Sequence, residues 1–431
     1  MDRKGTGSEK KRIRAGVVIS LIASMVFMLS SCTTYNSFKG TFIDKTNDEV
    51  EPTITIGVFE PQTGRNEQKG KEELKGIELA NSIYNNVDGY KVVLSKVDTQ
   101  SSVSATETAV SGLIEMNPVA IIGSAGEATS LAASEIIEEA KIPTITPSAT
   151  NPLITQGNEY YFRASITESQ MGQGLAEYAC EELKSEKIGI LSLKNDSSVA
   201  AIIDGFESKV KKLNDGSSSS IIARAEISPN NTKEMQDAVM LFRLKTVKVL
   251  FAPLGAEDMD KLFSIIEEKD MTDIVFLGNR SWGDEAFINM MSNHPNIKVV
   301  FPYETVLSGT NSTSDAITQE AQRFQIEYAG RYGNDDIPTY NAALGYDSYL
   351  LLINAIHTAK SLEGEDVRAA LLDLQGLKCS TGEFSFDQNG NVVRSVTLST
   401  IKDNKPVTEY VCEGEAKATK LEEVEEQQKE N

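Results

Sequence analysis

The strongest constraint on the fold is a repeated alternation of short β-branched runs with longer segments of helical periodicity. In the first series, predicted strands and helices alternate over residues 54–59, 74–85, 91–97, 103–116, 119–122, 128–140 and 142–146. The second series covers residues 187–192, 199–213, 221–227, 232–245, 247–252, 258–269 and 274–277. Such alternation is typical of βαβ units with parallel strands. The sequence therefore predicts an α/β fold with two doubly wound sheets, whose ligand sites lie beyond the carboxyl ends of the strands.

The last third of the chain has a different pattern. Helical periodicity predicts helices over residues 316–332, 340–358 and 367–374. Two strand-like runs follow at residues 383–387 and 392–401, separated by a turn that contains Asn389-Gly390. Because Asn-Gly between two strands is a strong hairpin signal, we expect these runs to pair with each other.

Residues 1–31 have the pattern of a secretory signal. Six basic residues precede an apolar run at residues 17–29, which is too short to span a bilayer stably. The following Leu29-Ser30-Ser31-Cys32 resembles the bacterial lipobox, in which the cysteine thiol receives a diacylglycerol before cleavage. Cys32 is therefore the expected lipid anchor, and the alternative is an ordinary signal peptide with an incidental cysteine. No second long apolar run follows, so we expect the remaining chain to be soluble and extracytoplasmic.

The mature chain is strongly acidic and too long for one core. The whole sequence carries a formal charge of −21, and removal of residues 1–31 takes away six basic and only two acidic side chains. Such a surface repels nucleic acid and argues against a nucleic-acid partner. Residues 32–52 are polar and suit a tether, whereas residues 412–431 form a tail rich in Glu, Lys and Gln. The length between them predicts two lobes.

Three cysteines follow Cys32, namely Cys180, Cys379 and Cys412. An odd number allows at most one internal disulfide, for which Cys379 with Cys412 is the expected pair. Three buried thiols are an equally good interpretation.

The residues needed for catalysis, metal binding or a cofactor are missing. The two histidines, His294 and His357, have no carboxylate cluster beside them in the sequence. Residues 64–71 (GRNEQKGK) superficially resemble a phosphate loop, but the spacing is wrong and Glu72 stands where Ser or Thr would bind magnesium. No Gly-x-Gly-x-x-Gly follows the first strand either. We therefore expect no enzyme activity, no metal and no cofactor.

Residues 119–155 (VAIIGSAGEATSLAASEIIEEAKIPTITPSATNPLIT) combine a strand, a Gly-Ser turn, a helix, a short strand and a Pro-Ser-Ala-Thr-Asn-Pro loop. This stretch resembles the signature of the type I periplasmic binding proteins, in particular the leucine/isoleucine/valine-binding receptors of ABC transporters. Further matching segments follow in the family's order at residues 56–64, 76–80, 162–163, 276–278, 340–355 and 386–390. Together they cover nearly all of residues 53–411.

The resemblance implies two α/β lobes joined by a hinge of three crossing strands, which close over a ligand. We expect the crossings near residues 162–165, 300–303 and 383–386. Lobe one then comprises residues 53–163 plus 303–384, and lobe two comprises residues 164–302 plus 385–411.

The resemblance also implies a ligand site at Ser148, Ala149 and Thr150, which match the family's segment for the carboxylate or other polar head of the ligand. Fixed N–H and O–H donors at a strand end favour an anionic oxygen. The alternative is that Ser148, Thr150 and Asn151 only build a capped turn.

Two positions depart from the pattern of amino-acid binders. Glu127, beside Ala128 in a loop expected to line the ligand, stands where those proteins have a serine that holds the ligand carboxylate. Arg280 follows a segment after which they have an acidic residue for the ligand ammonium. Glu127 and Arg280 could pair across the closed cleft around a less charged ligand. Alternatively, Arg280 receives an anionic group while Glu127 accepts from hydroxyl or amine donors, or both side chains point into solvent.

The loop of residues 194–198 has Ser197 where an aromatic residue often stacks on the ligand in this family. Trp282, the only tryptophan, could replace that wall because indole offers a large apolar face and one donor. Burial of Trp282 in a core is an equal alternative.

These features predict reversible capture of a small polar, amino-acid-like ligand and its delivery to the membrane permease subunits of an ABC importer. The expected location is extracytoplasmic, lipid-anchored to the bacterial membrane through Cys32. The alternatives are a regulatory or a sensor lipoprotein that uses the same fold to bind a partner protein.

Overall fold

The computed structural model describes residues 51–303 and 319–412. The helices are α1 Glu67–Ile83, α2 Val103–Ile114, α3 Glu127–Ala140, α4 Glu168–Glu177, α5 Ala200–Leu213, α6 Thr232–Lys245, α7 Ala256–Glu268, α8 Glu285–Met291, α9 Gln319–Tyr332, α10 Tyr340–Thr358 and α11 Gly364–Leu372. The strands are β1 Thr53–Glu60, β2 Asn86–Val87, β3 Tyr90–Asp98, β4 Ala120–Ile122, β5 Thr144–Thr146, β6 Tyr161–Arg163, β7 Ile188–Leu193, β8 Ile221–Ile227, β9 Val249–Phe251, β10 Val275–Leu277, β11 Lys298–Pro302, β12 Leu377–Cys379, β13 Gly382–Phe386, β14 Val392–Val393, β15 Val396–Lys402 and β16 Lys405–Cys412.

The first lobe is a sheet of order β2-β3-β1-β4-β5-β6 with helices on both faces. Its strands are parallel except β2, which pairs antiparallel with β3. Successive side chains of β4 enter different cores, because Ile122 packs with the α1 and α10 layer and Ile121 with the α2 and α3 layer. At the contact of α1 with α10, a Cβ on Gly76 would lie 1.8 Å from the Ala342 carbonyl oxygen. A glycine at this position therefore lets the two helices approach closely.

The second lobe has a sheet of order β16-β15-β11-β10-β9-β7-β8. The five strands from β8 to β11 are parallel, whereas β15 and β16 pair antiparallel. One face is covered by α6, α7 and α8, which contribute Phe242, Phe263 and Phe287 to an aromatic-rich core. On the other side, α4 packs on α5, and a Cβ on Gly172 would lie 2.0 Å from the Ile202 carbonyl oxygen. Both lobes thus use a glycine at a helix crossing.

The chain passes between the two sheets after β6, after β11 and before β15. A small antiparallel sheet of order β12-β13-β14 lies at the third passage, and Asn391 beside it bridges to Arg163 of β6. The predicted fold class, α/β with two doubly wound parallel-sheet lobes and a hinge, is confirmed.

Two local predictions were wrong. The hairpin forms only between β13 and β14, because residues 396–402 leave it and pair with β11 and β16 in the second sheet. Cys379 and Cys412 are not joined by a disulfide. Cys379 lies in β12, whereas the Cys412 thiol at the end of β16 donates to the Gly174 carbonyl at 3.2 Å. Burial raises the pKa of both thiols.

Within residues 51–303 and 319–412, no helix combines the length and the apolar composition needed to cross a bilayer. The predicted signal at residues 1–31, the predicted anchor Cys32, most of the predicted tether and the residues beyond Cys412 lie outside the described residues.

Candidate functional site

The loop after β5 and the start of α3 meet at the carboxyl ends of adjacent parallel strands. Glu127, the first residue of α3, directs its carboxylate onto this loop. Its Oε1 accepts from the Thr150 N–H at 2.7 Å and from the Thr150 hydroxyl at 3.2 Å, and its Oε2 accepts from the Asn151 N–H at 2.9 Å. The groups expected to bind the polar head of a ligand therefore hold a carboxylate of the chain itself.

Arg163 binds the carbonyl groups of the same loop. Its guanidinium donates to the Thr150 carbonyl through Nη1 and to the Asn151 carbonyl through Nη2, the latter at 2.6 Å. The side chain is fully buried, and burial lowers the pKa of Arg163 to about 10, while the Glu127 charge opposes this shift. Arg163 therefore stays cationic at neutral pH, and the loop is fixed through both its N–H and its carbonyl groups.

Ser148 and Ala149 face inward. The Ser148 hydroxyl donates to the Glu73 carboxylate, and the Ala149 carbonyl accepts from the Ser165 hydroxyl at 2.9 Å. Glu73 lies beside Glu60, which accepts from the Ala125 N–H at 2.7 Å, and both carboxyls are fully buried.

The buried carboxyls have strongly shifted acidity. Burial, opposed by the Lys69 charge, raises the pKa of Glu73 to about 7. Burial and the Glu73 charge raise the pKa of Glu60 well above its usual value. Two carboxyls this close share a proton more readily than they carry two charges.

The second lobe contributes Arg280, which lies in a short 3₁₀ turn after β10. Its guanidinium carbon is 4.3 Å from the ring centroid of Tyr340, the first residue of α10 in the first lobe. The Tyr340 hydroxyl is buried and has no hydrogen-bond partner within the described part of the chain. Arg280 and Tyr340 thus bring the two lobes into contact beside a buried hydroxyl that lacks a partner among the described residues.

Glu168, the first residue of α4, faces the same space. Burial raises the pKa of Glu168, the Arg280 charge opposes the shift and the Glu127 charge adds to it. Both charges act on one carboxyl, so Glu127 of lobe one and Arg280 of lobe two each face the space around Glu168.

Of the arrangements left open for Glu127 and Arg280, this structure does not have the ion pair. Across the described residues, no ion pair joins the two side chains, because Glu127 binds its own lobe and Arg280 lies on Tyr340. Trp282 is not a ligand wall either. It is fully buried, stacks on Phe287 at 4.6 Å and donates its indole N–H to the Leu254 carbonyl at 2.8 Å.

Ser197 and Ala128 are exposed. Ser197 lines a groove of about 570 Å³ between the end of β7, the start of α5 and β8. Glu127, Thr150 and Arg280 do not line this groove.

The arrangement has no sign of a metal centre. Across residues 51–303 and 319–412, no group of three or more His, Cys, Asp or Glu side chains is placed to hold an ion. His294 lies between Glu267 and Asp260 at 2.9 and 3.2 Å, and His357 is exposed beside Asp88. Both histidines make ordinary polar contacts.

Sequence reasoning missed the roles of Arg163, Glu73, Glu168 and Tyr340. A signal existed for Glu168, because Thr167 and Gln170 form a capping box and so mark the start of a helix after β6. Arg163 directly follows two buried aromatic residues of β6, so its burial was foreseeable, but its partners were not.

Relatives of this chain are known. An amino acid binding protein of Pseudomonas aeruginosa is 28% identical over 165 residues, which are 37% of this chain and 44% of that protein, so this match spans less than half of the relative. Leu/Ile/Val-binding protein homolog 8 of Brucella melitensis is 23% identical over 373 residues, 83% of this chain and 90% of that protein.

Solved structures share the fold. A leucine binding protein of Thermotoga maritima has a TM-score of 0.63 at 23% identity, with 84% of this chain and 99% of that chain covered. A branched-chain amino acid transporter substrate binding protein of Streptococcus pneumoniae, in complex with isoleucine, has a TM-score of 0.59 at the same identity and coverage.

The family model for periplasmic binding proteins matches residues 53–406, which include both lobes and all three passages between them. Its members bind solutes and are not enzymes, in agreement with the absence of a catalytic cluster predicted from the sequence. This chain therefore belongs to the periplasmic binding protein family and has the type I fold of that family.

Proposed function

We propose that this chain is an extracytoplasmic receptor that captures a small polar, amino-acid-like ligand and delivers it to the permease subunits of an ABC importer. The observation that carries the proposal is the contact of Arg280 with Tyr340 at 4.3 Å, which joins the two lobes, and Glu168 beside it feels the charges of both Arg280 and Glu127. Polar groups that converge in a cleft between lobes are the usual setting of a small-molecule site, and closure around a ligand follows from a hinge.

The names of relatives support an amino-acid-like ligand. Proteins named as amino acid binding and Leu/Ile/Val-binding match this chain, and the Brucella protein does so over most of its length. The ligand contacts that we propose come from Glu127 of lobe one and from Arg280 of lobe two, whereas Ser148, Ala149 and Thr150 build the loop that holds Glu127 in place.

The proposed location rests on the sequence. The lipobox-like residues 29–32 follow a short apolar run, which favours lipid attachment at Cys32. Cys32→Ala should shift the protein from the membrane fraction to the soluble fraction and abolish incorporation of a labelled fatty acid. Cys180→Ala is the control and should change neither result.

Thermal unfolding against a ligand library tests capture. Residues 33–431 are melted with amino acids, their amides and amines, small organic acids and nucleosides, because a ligand that binds only the folded state raises the melting temperature. We expect a saturable rise for one chemical class, which Arg280→Ala reduces and the exposed control Arg243→Ala does not. If no class gives a saturable rise, solute capture is rejected.

A further inference from the structure

The anion-binding groups at the end of β5 are already filled. Two backbone N–H groups and one hydroxyl, from Thr150 and Asn151, bind the two oxygens of the Glu127 carboxylate at 2.7 to 3.2 Å. Arg163 fixes the carbonyls of the same two residues from the opposite side. The loop is therefore a rigid anion site whose occupant is part of the chain.

A ligand carboxylate could use these donors only by displacing Glu127. The displaced Glu127 carboxylate would lose three hydrogen bonds and remain half-buried in the cleft near Glu168. The ligand carboxylate and the displaced Glu127 carboxylate would then repel each other, and Glu127 would need new hydrogen-bond partners. The loop therefore disfavours a ligand that carries a carboxylate at this end.

The surrounding charges favour a cation. The carboxyls near the cleft outnumber the cations near it, even when Glu60 and Glu73 share one proton. The carboxyls are Glu60, Glu73, Glu127, Glu168 and Asp284, and the cations are Lys69, Arg163 and Arg280.

Glu127 keeps an open acceptor position at the cleft. Its Oε2 receives one hydrogen bond, from Asn151, and a carboxylate oxygen can accept a second. On the same lobe, the buried hydroxyl of Tyr340, whose ring contacts Arg280, has no partner within the described residues. An ammonium group has three donors and no acceptor, so it suits the open position on Glu127.

We propose that the ligand of this cleft is a cationic amine without a carboxylate group, and that Glu127 is the residue that sets this specificity. Its carboxylate accepts an N–H of the ligand ammonium and blocks the anion site behind it. This inference rests on the proposed capture function and names the class of solute.

Matched pairs of compounds test it. Each amino acid is compared with the amine that lacks only its carboxylate: leucine with 3-methylbutylamine, lysine with cadaverine, ornithine with putrescine and arginine with agmatine. Isothermal titration calorimetry is done on the full-length protein in mild detergent and in phosphate buffer, so that no buffer amine competes. Refolding from urea before titration removes ligand carried through purification.

Three variants separate the effect of the Glu127 charge, the effect of the space that its side chain fills and the effect of the general charge of the lobe. Glu127→Ala frees the three donors and leaves room, Glu127→Gln keeps the volume but removes the charge, and Glu135→Ala removes an exposed carboxylate from the same helix. The wild type and Glu135→Ala should bind at least one amine about tenfold or more tightly than its amino acid. Glu127→Gln should weaken amine binding about tenfold without a gain for the amino acid, whereas Glu127→Ala should reverse the preference.

Other results overturn the inference. If the wild type binds an amino acid as tightly as its amine, Glu127 does not exclude the carboxylate, although solute capture stands. If no amine binds the wild type, the class is wrong, and the wider library decides whether capture itself fails. If Glu135→Ala changes the preference as much as Glu127→Ala does, the effect belongs to the charge of the lobe and not to the position of Glu127.

Discussion

The strand ends of the two lobes face one cleft but are built differently. In lobe one, the polar groups of the loop after β5 are tied to buried or half-buried side chains, with Glu127 on the N–H groups and Arg163 on the carbonyls. In lobe two, Arg280 and Glu168 are only partly buried, and Arg280 touches lobe one through a ring face. We call the loop after β5 with Glu127 and Arg163 the rigid wall, and Arg280 with Glu168 the adjustable wall. One rigid and one adjustable wall suit closure on a ligand.

The test with the largest expected effect removes one arginine side chain from each wall. Arg163→Met leaves two loop carbonyls without their donor and Glu127 without its nearby cation, so the free energy of unfolding should fall by about 3–5 kcal/mol. Arg280→Met removes a half-exposed guanidinium and should cost less than about 1 kcal/mol. Urea unfolding followed by circular dichroism measures both. Equal losses would contradict the assignment of one rigid and one adjustable wall.

A second test uses pH and the buried carboxyls under the rigid wall. Because burial raises the pKa of Glu73 to about 7, the folded state binds more protons than the unfolded state between the ordinary glutamate pKa and that value. Stability from this group is therefore present at low pH and is lost as pH rises through the folded pKa. Glu73→Gln keeps a neutral side chain at every pH, so it should gain about 2 kcal/mol over the wild type on going from about pH 5 to about pH 8.

The matched variant for the adjustable wall is Glu168→Gln. Glu168 is half-buried and its pKa is also raised by burial, but water and the Arg280 charge reduce the effect. The difference between Glu168→Gln and wild type should change less with pH than the difference for Glu73→Gln. Unfolding curves at both pH values give the comparison. A larger change for Glu168→Gln would mean that Glu168, and not Glu73, has the more strongly raised pKa, which contradicts the comparison.

Sequence reasoning predicted the architecture well where local signals were complete. The helices predicted over residues 232–245 and 340–358 have these bounds in the structure, because Asn231 and Thr339 cap their first turns. The hairpin prediction was wrong at residues 396–402. Their partner β11 lies about a hundred residues earlier in the chain, and no local sequence pattern indicates such a pairing.

The neighbourhood of Glu127 and Thr150 was predictable from the sequence, but the contacts of these residues were not. Adjacent parallel strands place Glu127 beside Thr150, and this neighbourhood follows from βαβ topology. Whether the Glu127 carboxylate turns to its own loop or to Arg280 depends on side-chain rotamers and on the buried Arg163, which the periodicity of the sequence does not report. Trp282 was ambiguous for the same reason, since an indole at a strand end suits a core and a cleft equally well.

The smallest expected effect concerns the contact between the walls. If Arg280 and Tyr340 touch across the cleft in solution, a double-mutant cycle of Arg280→Met with Tyr340→Leu should give a coupling energy of about 0.5–1 kcal/mol, the usual range for a cation over an aromatic face. Urea unfolding of the four proteins measures it. A cycle of Arg280→Met with Tyr332→Leu is the control, because the Tyr332 ring lies under Lys75 instead, and it should give no coupling.

Each outcome of the cycle decides how the walls work together. A coupling of this size holds the lobes together weakly enough for a ligand to open or close them, since such a free energy changes a closing equilibrium only about two- to fivefold. A value near zero for Arg280 with Tyr340 would mean that the lobes separate when no ligand is bound. In that case the adjustable wall meets the rigid one only after capture, and Arg280 contributes to closure through the ligand alone.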